Sequence, residues 1–272
     1  MSANSLLSLN RIRQGLRQLG VKAGQVVMLH ASCRAIGPVE GGPRGLLKAI
    51  LDVLTIEGSL MMLVGSKGAI YDIGDMSQAE KKAALAARAA FDPHQTAANP
   101  DWGVVGAALL NLTGSHRSRH PDYSFAAVGR LAQELVADHD YAYCHGPSSP
   151  LGKLCELGGK VLLLGAPFQS VTLVHLCEHL ASVEGKVVLR YEAPVVQGDQ
   201  RVLIGIERFD TRRDIPGYGE DDYFRPMVRD YLRQGGGNKG KVGQAISYVL
   251  DAQEFKEFGI GWLESKLPGA KV

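Results

Sequence analysis

The sequence predicts a mixed α/β fold, with a central, largely parallel sheet flanked by helices and an antiparallel part toward the C-terminus. Three observations point there. Short apolar runs of strand length alternate with segments of helical period. Two of those runs, "GSLMMLVG" and "GKVLLLGA", are apolar almost throughout, as befits strands buried on both faces. Late in the chain, "KVVLRYEAPVV" and "RVLIGIERFDT" are separated only by "QGDQ", which reads as an antiparallel hairpin.

The elements follow in order. Leu6, Leu7, Leu9, Ile12, Leu16 and Leu19 recur at near-helical spacing, so the chain opens on an amphipathic helix capped at Asn4 or Ser5 and stopped at Gly20. "QVVMLHAS" (25–32) is a strand ending in polar residues. "GPRGLLKAILDVLT" (42–55) carries Leu46, Leu47, Ile50, Leu51 and Leu54 on one helical side, and "GSLMMLVG" (58–65) is the second strand. "SQAEKKAALAARAAF" (77–91) is an Ala-rich helix, "DWGVVGAALLNLTG" (101–114) another that Gly114 ends, "FAAVG" a short extended piece, and "GRLAQELVADH" (129–139) a helix. "GKVLLLGA" (159–166) is the central strand, with "SVTLVHLCEHLASV" as the helix behind it. "RQGGGNKGKVGQA" (233–245) is the most Gly-rich loop. With 272 residues and no internal repeat or low-complexity linker, a single domain over 1–272 is expected.

Composition narrows the partners. A formal net charge of +2, with the basic residues scattered, argues against nucleic acid. No apolar run is long enough to cross a bilayer, and the N-terminal stretch lacks the apolar block of a signal peptide. Cys33, Cys144, Cys155 and Cys177 form no C-x-x-C pair, so free thiols in a reducing cytoplasm are expected. The oligomeric state is left open.

Several segments carry candidate chemistry. In "VTLVHLCEH", His175, Glu178 and His179 spell H-x-x-E-H, the inverted zinc-peptidase pattern, and on a helix they share a face. The pattern is short, and a structural face of the same helix produces it equally. "LHASCRAIG" ends a strand at His30 and opens a turn whose Ala31, Ser32 and Cys33 amides suit a phosphate; a capped turn accounts for the same residues. "RSRHPDYSFAAVG" offers Arg117, Ser118 and Arg119 as phosphate donors beside the rigid His120-Pro121 turn, or a solvated basic loop. "HGPSSPLGKL" places His145 in a Ser-Pro turn before the central strand. Glu207 and Asp210, together with "GEDDYF" (219–224), make an acidic supply that suits a polycationic ligand if it borders a pocket and is otherwise a solvated face.

Taken together, these segments resemble the aminoglycoside 3-N-acetyltransferase family, also called the antibiotic N-acetyltransferase family. The blocks "VVMLHASCRAIGPVEGGPRGLLKAI", "FDPHQTAANPDWGVVGAALLNLTGSHRSRHPDYSFAAVG", "HGPSSPLGKLCELGGKVLLLG" and "VTLVHLCEH" stand in the family's order and cover most of residues 20–180. The resemblance weakens after about residue 185. It implies a fold of the family's own, distinct from the GNAT superfamily, and acetyl transfer from acetyl-coenzyme A to the 3-amino group of a 2-deoxystreptamine antibiotic, without a metal. By the same resemblance His175, the first histidine of T-x-x-H-x-x-E, is the general base. The acid that orients it is Glu178, or one of Glu207 and Asp210 in "IERFDT", where relatives often read E-E-F-D-T and this chain has Arg208. Coenzyme A is expected over His30, Ala31, Ser32, Cys33 and Arg34, the helix start at Gly103 and Val104, and Arg117, Ser118, His120 and Phe125. His30 assists at the thioester carbon, and the backbone around Ser32 and Cys33 forms an oxyanion hole. Asp72, Asp75, His145, Glu178, Glu207 and Asp210 are the expected contacts to the drug. Two other readings share these residues: a family member acting on another amine, and a coenzyme A-binding relative without turnover.

Overall fold

The structure is a computed structural model that describes residues 6–70, 73–209 and 223–266. The helices are α1 (Leu9–Leu19), α2 (Cys33–Ile36), α3 (Gly42–Leu54), α4 (Gln78–Ala87), α5 (Val104–Leu110), α6 (Ala132–Val136), α7 (Pro150–Glu156), α8 (Leu173–Leu180), α9 (Phe224–Arg233) and α10 (Ala252–Lys266). The strands are β1 (Val26–Ala31), β2 (Ser59–Leu63), β3 (His116–Arg117), β4 (Phe125–Gly129), β5 (Lys160–Leu164), β6 (Val188–Gln197), β7 (Gln200–Phe209), β8 (Asn238–Val242) and β9 (Ala245–Asp251).

Seven strands form one sheet in the order β3-β4-β2-β1-β5-β9-β8. The centre, β2-β1-β5, is parallel, with Met28 opposite both Met61 and Val161. Antiparallel strands extend it on both sides: β4 and β3 beyond β2, β9 and β8 beyond β5. The strand period of two sends alternate residues to opposite faces. Val27, Leu29, Leu60, Leu162 and Leu164 pack with α1, α3 and α5, while Met28, Met61, Val161 and Leu163 pack with the elements from α6 to α10. Two cores, one on each face, explain why β5 reads Val-Leu-Leu-Leu without a polar break. The expected hairpin is present as β6–β7, with Gln197 opposite Gln200, and forms a two-stranded sheet of its own.

Several expectations are corrected. Asn4 and Ser5 lie outside the described residues; the cap of α1 is Ser8, whose hydroxyl accepts from the Arg11 amide, and the helix begins at Leu9. The segment 101–114 is not one helix. A 3₁₀ turn, Pro100–Trp102, breaks at Gly103, whose φ of 91° is open to glycine, and α5 ends at Leu110, well before Gly114. The helix expected over 129–139 is only Ala132–Val136, because Gly129 still belongs to β4. The Ser-Pro turn before β5 is the start of α7, capped by Ser149 with Pro150 in its first turn. Within the Gly-rich stretch 233–245, Asn238–Val242 form edge strand β8, and β9 follows it into the sheet. Gly15 shows why glycine sits within α1: a Cβ there would stand 3.0 Å from the Lys241 carbonyl oxygen of β8.

Candidate active site

The carboxyl ends of parallel strands leave a crevice where their connections diverge. Here β1, β2 and β5 end at a cleft of about 660 Å³ lined by His30 to Arg34, Leu63, Asp101 to Val105, Ala166, Pro167, Gln169, Ser170, Thr172, His175 and Phe224. Gly165 turns the chain out of β5 with φ 65°; a Cβ there would meet those of Ala35 in α2 and Ala245 in β9 at 2.7 and 2.8 Å, so these elements approach the turn closely only with glycine.

α8 projects His175 into this cleft. Its Nδ1 donates to Glu178 Oε2 at 2.7 Å, the i, i+3 spacing of one helical face. Because a carboxylate only accepts, this bond places the imidazole proton on Nδ1 and leaves the Nε2 lone pair for a substrate. Glu178 is 6% exposed, and its other oxygen, Oε1, accepts from the Tyr223 hydroxyl. The Phe224 ring stands edge-on to His175 at 5.1 Å, and the His145 ring stacks on it at 4.8 Å and 17°. Burial, then the neighbouring His175, pulls His145 well below the ordinary imidazole value, so the stacking partner is neutral. His145 therefore backs His175 and is not among the cleft-lining residues.

The H-x-x-E-H face is thus a hydrogen-bonded His–Glu pair. His179 turns to the rings of Phe209 and Tyr143, at 4.5 and 5.6 Å, and among the described residues no three His, Cys, Asp or Glu side chains are grouped to hold a metal ion.

The first expected cofactor block is at the cleft. His30, one residue before the end of β1, has Nε2 buried and without a hydrogen-bond partner, and burial draws its imidazole down to about 4. Ala31 stands opposite Leu164 in the ladder. The Ser32 amide already donates to the Leu164 carbonyl at 2.9 Å and its hydroxyl caps α2, so Ser32 offers no amide to a ligand; the first-turn amides of Cys33 and Arg34 remain. Arg34 is exposed, and burial raises the Cys33 thiol. Gly103 and Val104 line the cleft, with Val104 60% exposed.

The second expected block lies largely inside the fold. Ser118, His120 and Phe125 are at most 1% exposed. Ser118 Oγ accepts from the Phe125 amide and pairs with His139 Nδ1 at 2.9 Å, and His139 Nε2 donates to the Cys144 carbonyl. His120 Nδ1 accepts from the amides of Asp122 and Tyr123. Arg117 ties the loop together, donating to Ser124 Oγ at 2.9 Å and to the carbonyls of Thr96 and Gly65. It lines a cavity of about 720 Å³ that shares Gly103 and Val104 with the cleft. Ser118 and Arg117 are thus satisfied by the protein's own groups as the chain packs, while His120 Nε2 is buried without a hydrogen-bond partner.

Among the acids, Asp72 and Asp210 lie outside the described residues, as does most of "GEDDYF". Asp75 is exposed on a 3₁₀ turn, Ile73–Asp75. Glu207 accepts from Arg190 Nε at 2.8 Å on the hairpin, so the carboxylate bonded to His175 is Glu178, not Glu207. Arg208 is turned inward, 5% exposed, over the rings of Tyr123 and Tyr191 beside the buried Arg88–Asp122 pair. Sequence reasoning did not single out Tyr223, Phe224, Asp101 or Trp102. All four stood within quoted segments, Asp101 and Trp102 in "DWGVV" and Tyr223 and Phe224 in "GEDDYF", which was read only for its acids.

The family model for aminoglycoside 3-N-acetyltransferase matches residues 28–264, well past residue 185. The chain is 41% identical over 249 residues to aminoglycoside N(3)-acetyltransferase III of Pseudomonas aeruginosa, covering 91% of this chain and 90% of that protein. Among solved structures, AAC-IIIb, captured as a binary complex with CoASH, is 34% identical with a TM-score of 0.89, over 98% of this chain and 100% of that one. AAC-VIa bound to sisomicin is 32% identical with a TM-score of 0.87, over 97% and 100%. With the fold, the cleft and the match through nearly the whole length in agreement, the chain belongs to the aminoglycoside 3-N-acetyltransferase family.

Proposed function

We propose that this protein transfers the acetyl group of acetyl-coenzyme A to the 3-amino group of a 2-deoxystreptamine aminoglycoside, with His175 as general base and Glu178 as its orienting acid. The observation that carries the reading is the His175–Glu178 hydrogen bond of 2.7 Å at the mouth of the cleft, in a chain whose relatives are aminoglycoside acetyltransferases. Family membership supports the reaction; the geometry supports the roles.

An ammonium group has no lone pair, so the amine must lose a proton before or during attack. An imidazole tied to a carboxylate through Nδ1 accepts that proton at Nε2, and the carboxylate stabilises the imidazolium that forms. The amine nitrogen bonds to the thioester carbon, the C–S bond breaks, and the departing thiolate takes up a proton. The cleft fits an acetyl thioester: Leu29, Met62 and Leu63 give an apolar wall, and exposed Arg34 offers a cation to a phosphate. His30, neutral with an unpartnered nitrogen, stands in the same cleft to polarise the acyl group. Asp101 is an exposed acid of the lining suited to an ammonium group. The test is thiol release from acetyl-coenzyme A across a panel of aminoglycosides, with the acetylated nitrogen placed by NMR. Turnover only with unrelated amines, or none with any, would reject the reading.

A further inference from the structure

Glu178 uses both oxygens. Oε2 accepts from His175 Nδ1 at 2.7 Å, and Oε1 accepts from the Tyr223 hydroxyl, which comes from a segment 45 residues away. Tyr223 is 7% exposed and caps the start of α9, and the next residue, Phe224, presses its ring edge on His175. The start of α9 thus touches both members of the pair. Burial, then the charge of Glu178, raises the Tyr223 phenol, so it stays protonated and donates. A buried carboxylate with one oxygen unfilled can rotate away from its partner; two donors from opposite sides hold its plane.

We propose that Tyr223 is a positioning residue for acetyl transfer: its hydroxyl locks the Glu178 carboxylate so that Oε2 faces His175 Nδ1 and Nε2 is kept as the proton acceptor. This rests on the reading of His175 as the base. The hydroxyl touches neither acetyl donor nor amine, so its loss acts through Glu178. The arrangement also dictates what an amide does at position 178. In Glu178→Gln, the Tyr223 hydroxyl holds the amide oxygen and turns the NH₂ toward His175. The imidazole must then accept at Nδ1 and carry its proton on Nε2, which removes the base.

The experiment uses the full chain with acetyl-coenzyme A and an accepted aminoglycoside. Tyr223→Phe should lower kcat about 10-fold with KM for both substrates within about 2-fold. In a His175→Ala background it should cause no further loss. Glu178→Gln should lose about 100-fold or more and show His175 as the Nε2–H form by ¹⁵N NMR. Adding Tyr223→Phe to it should regain activity several-fold, because the amide is then free to turn. A wild-type kcat in Tyr223→Phe, an equal further loss in the His175→Ala background, or no regain in the double variant overturns the proposal. If Tyr223→Phe does not fold, Glu178→Gln alone decides, since an Nδ1–H form of His175 there contradicts the lock. An active His175→Ala sinks the base reading itself, whereas an inactive His175→Ala with an unimpaired Tyr223→Phe sinks only the role of Tyr223.

Discussion

Acid should unfold this protein early, because its interior holds histidines in the neutral form. Burial draws His30 and His139 down to about 4 and His179 to about 3, and it pulls His120 and His145 well below the ordinary value. His139 shows the cause: it is fully buried, with Nε2 donating to the Cys144 carbonyl and Nδ1 committed to Ser118. In the unfolded chain each imidazole titrates near ~6.5. The folded pKa is the lower one, so the unfolded state binds more protons as pH falls. Stability is therefore full above about pH 6.5 and drains away toward pH 4. At pH 5.5 a histidine with a folded value near 4 costs about 1.4 kcal/mol relative to high pH. His30, His139 and His179 together set an upper figure of about 4 kcal/mol, discounted because His30 and His179 are partly exposed, against a total stability of order 5–15 kcal/mol. Urea unfolding at pH 7.5 and 5.5 measures the difference. His179→Phe, set among Tyr143 and Phe209, should fold and reduce the difference by about 1 kcal/mol. A change of less than about 1 kcal/mol for the parent protein over that pH range, or an undiminished change in the variant, would refute the reasoning.

His175→Ala should keep the fold and lose two to four orders of magnitude in kcat, roughly 3–5 kcal/mol of barrier; more than about a tenth of the parent rate would contradict its role. Cys33→Ala should stay active with sequential kinetics, since burial raises the Cys33 thiol and direct attack needs no acyl-enzyme; an acetylated Cys33 caught by mass spectrometry would say otherwise. Arg88→Met should destabilise by about 3–5 kcal/mol in urea, because it strips the fully buried Asp122 of the guanidinium 2.5 Å away, even with Tyr191 still donating to the carboxylate.

Much of the fold was legible because the informative signal is local. The apolar runs of β1, β2 and β5, the one-sided leucines of α3 and the short "QGDQ" connection each report on neighbours a few residues apart. The failures share a cause as well. β8 reads as a glycine loop because Gly240 lies against Leu19 of α1, and what makes it a strand is β9, a partner across the Gly243–Gln244 turn. The internal hydrogen bonds of Ser118 and Arg117 were equally hidden, because residue type alone does not say whether a donor meets solvent or a carbonyl of its own protein.

The sequence by itself determined the family, since ordered blocks survive in a one-dimensional string, and it set His175 and Glu178 at i, i+3 while leaving Glu178, Glu207 and Asp210 open as the acid beside the histidine. Only the tertiary structure decided which acid is hydrogen-bonded to His175, which loop polar groups are consumed internally, and that Tyr223, Phe224 and His145 enclose the pair. Those outcomes depend on contacts between segments tens of residues apart, where burial converts ordinary polar side chains into obligatory hydrogen-bond partners, and no periodicity in the chain records which partner each one finds.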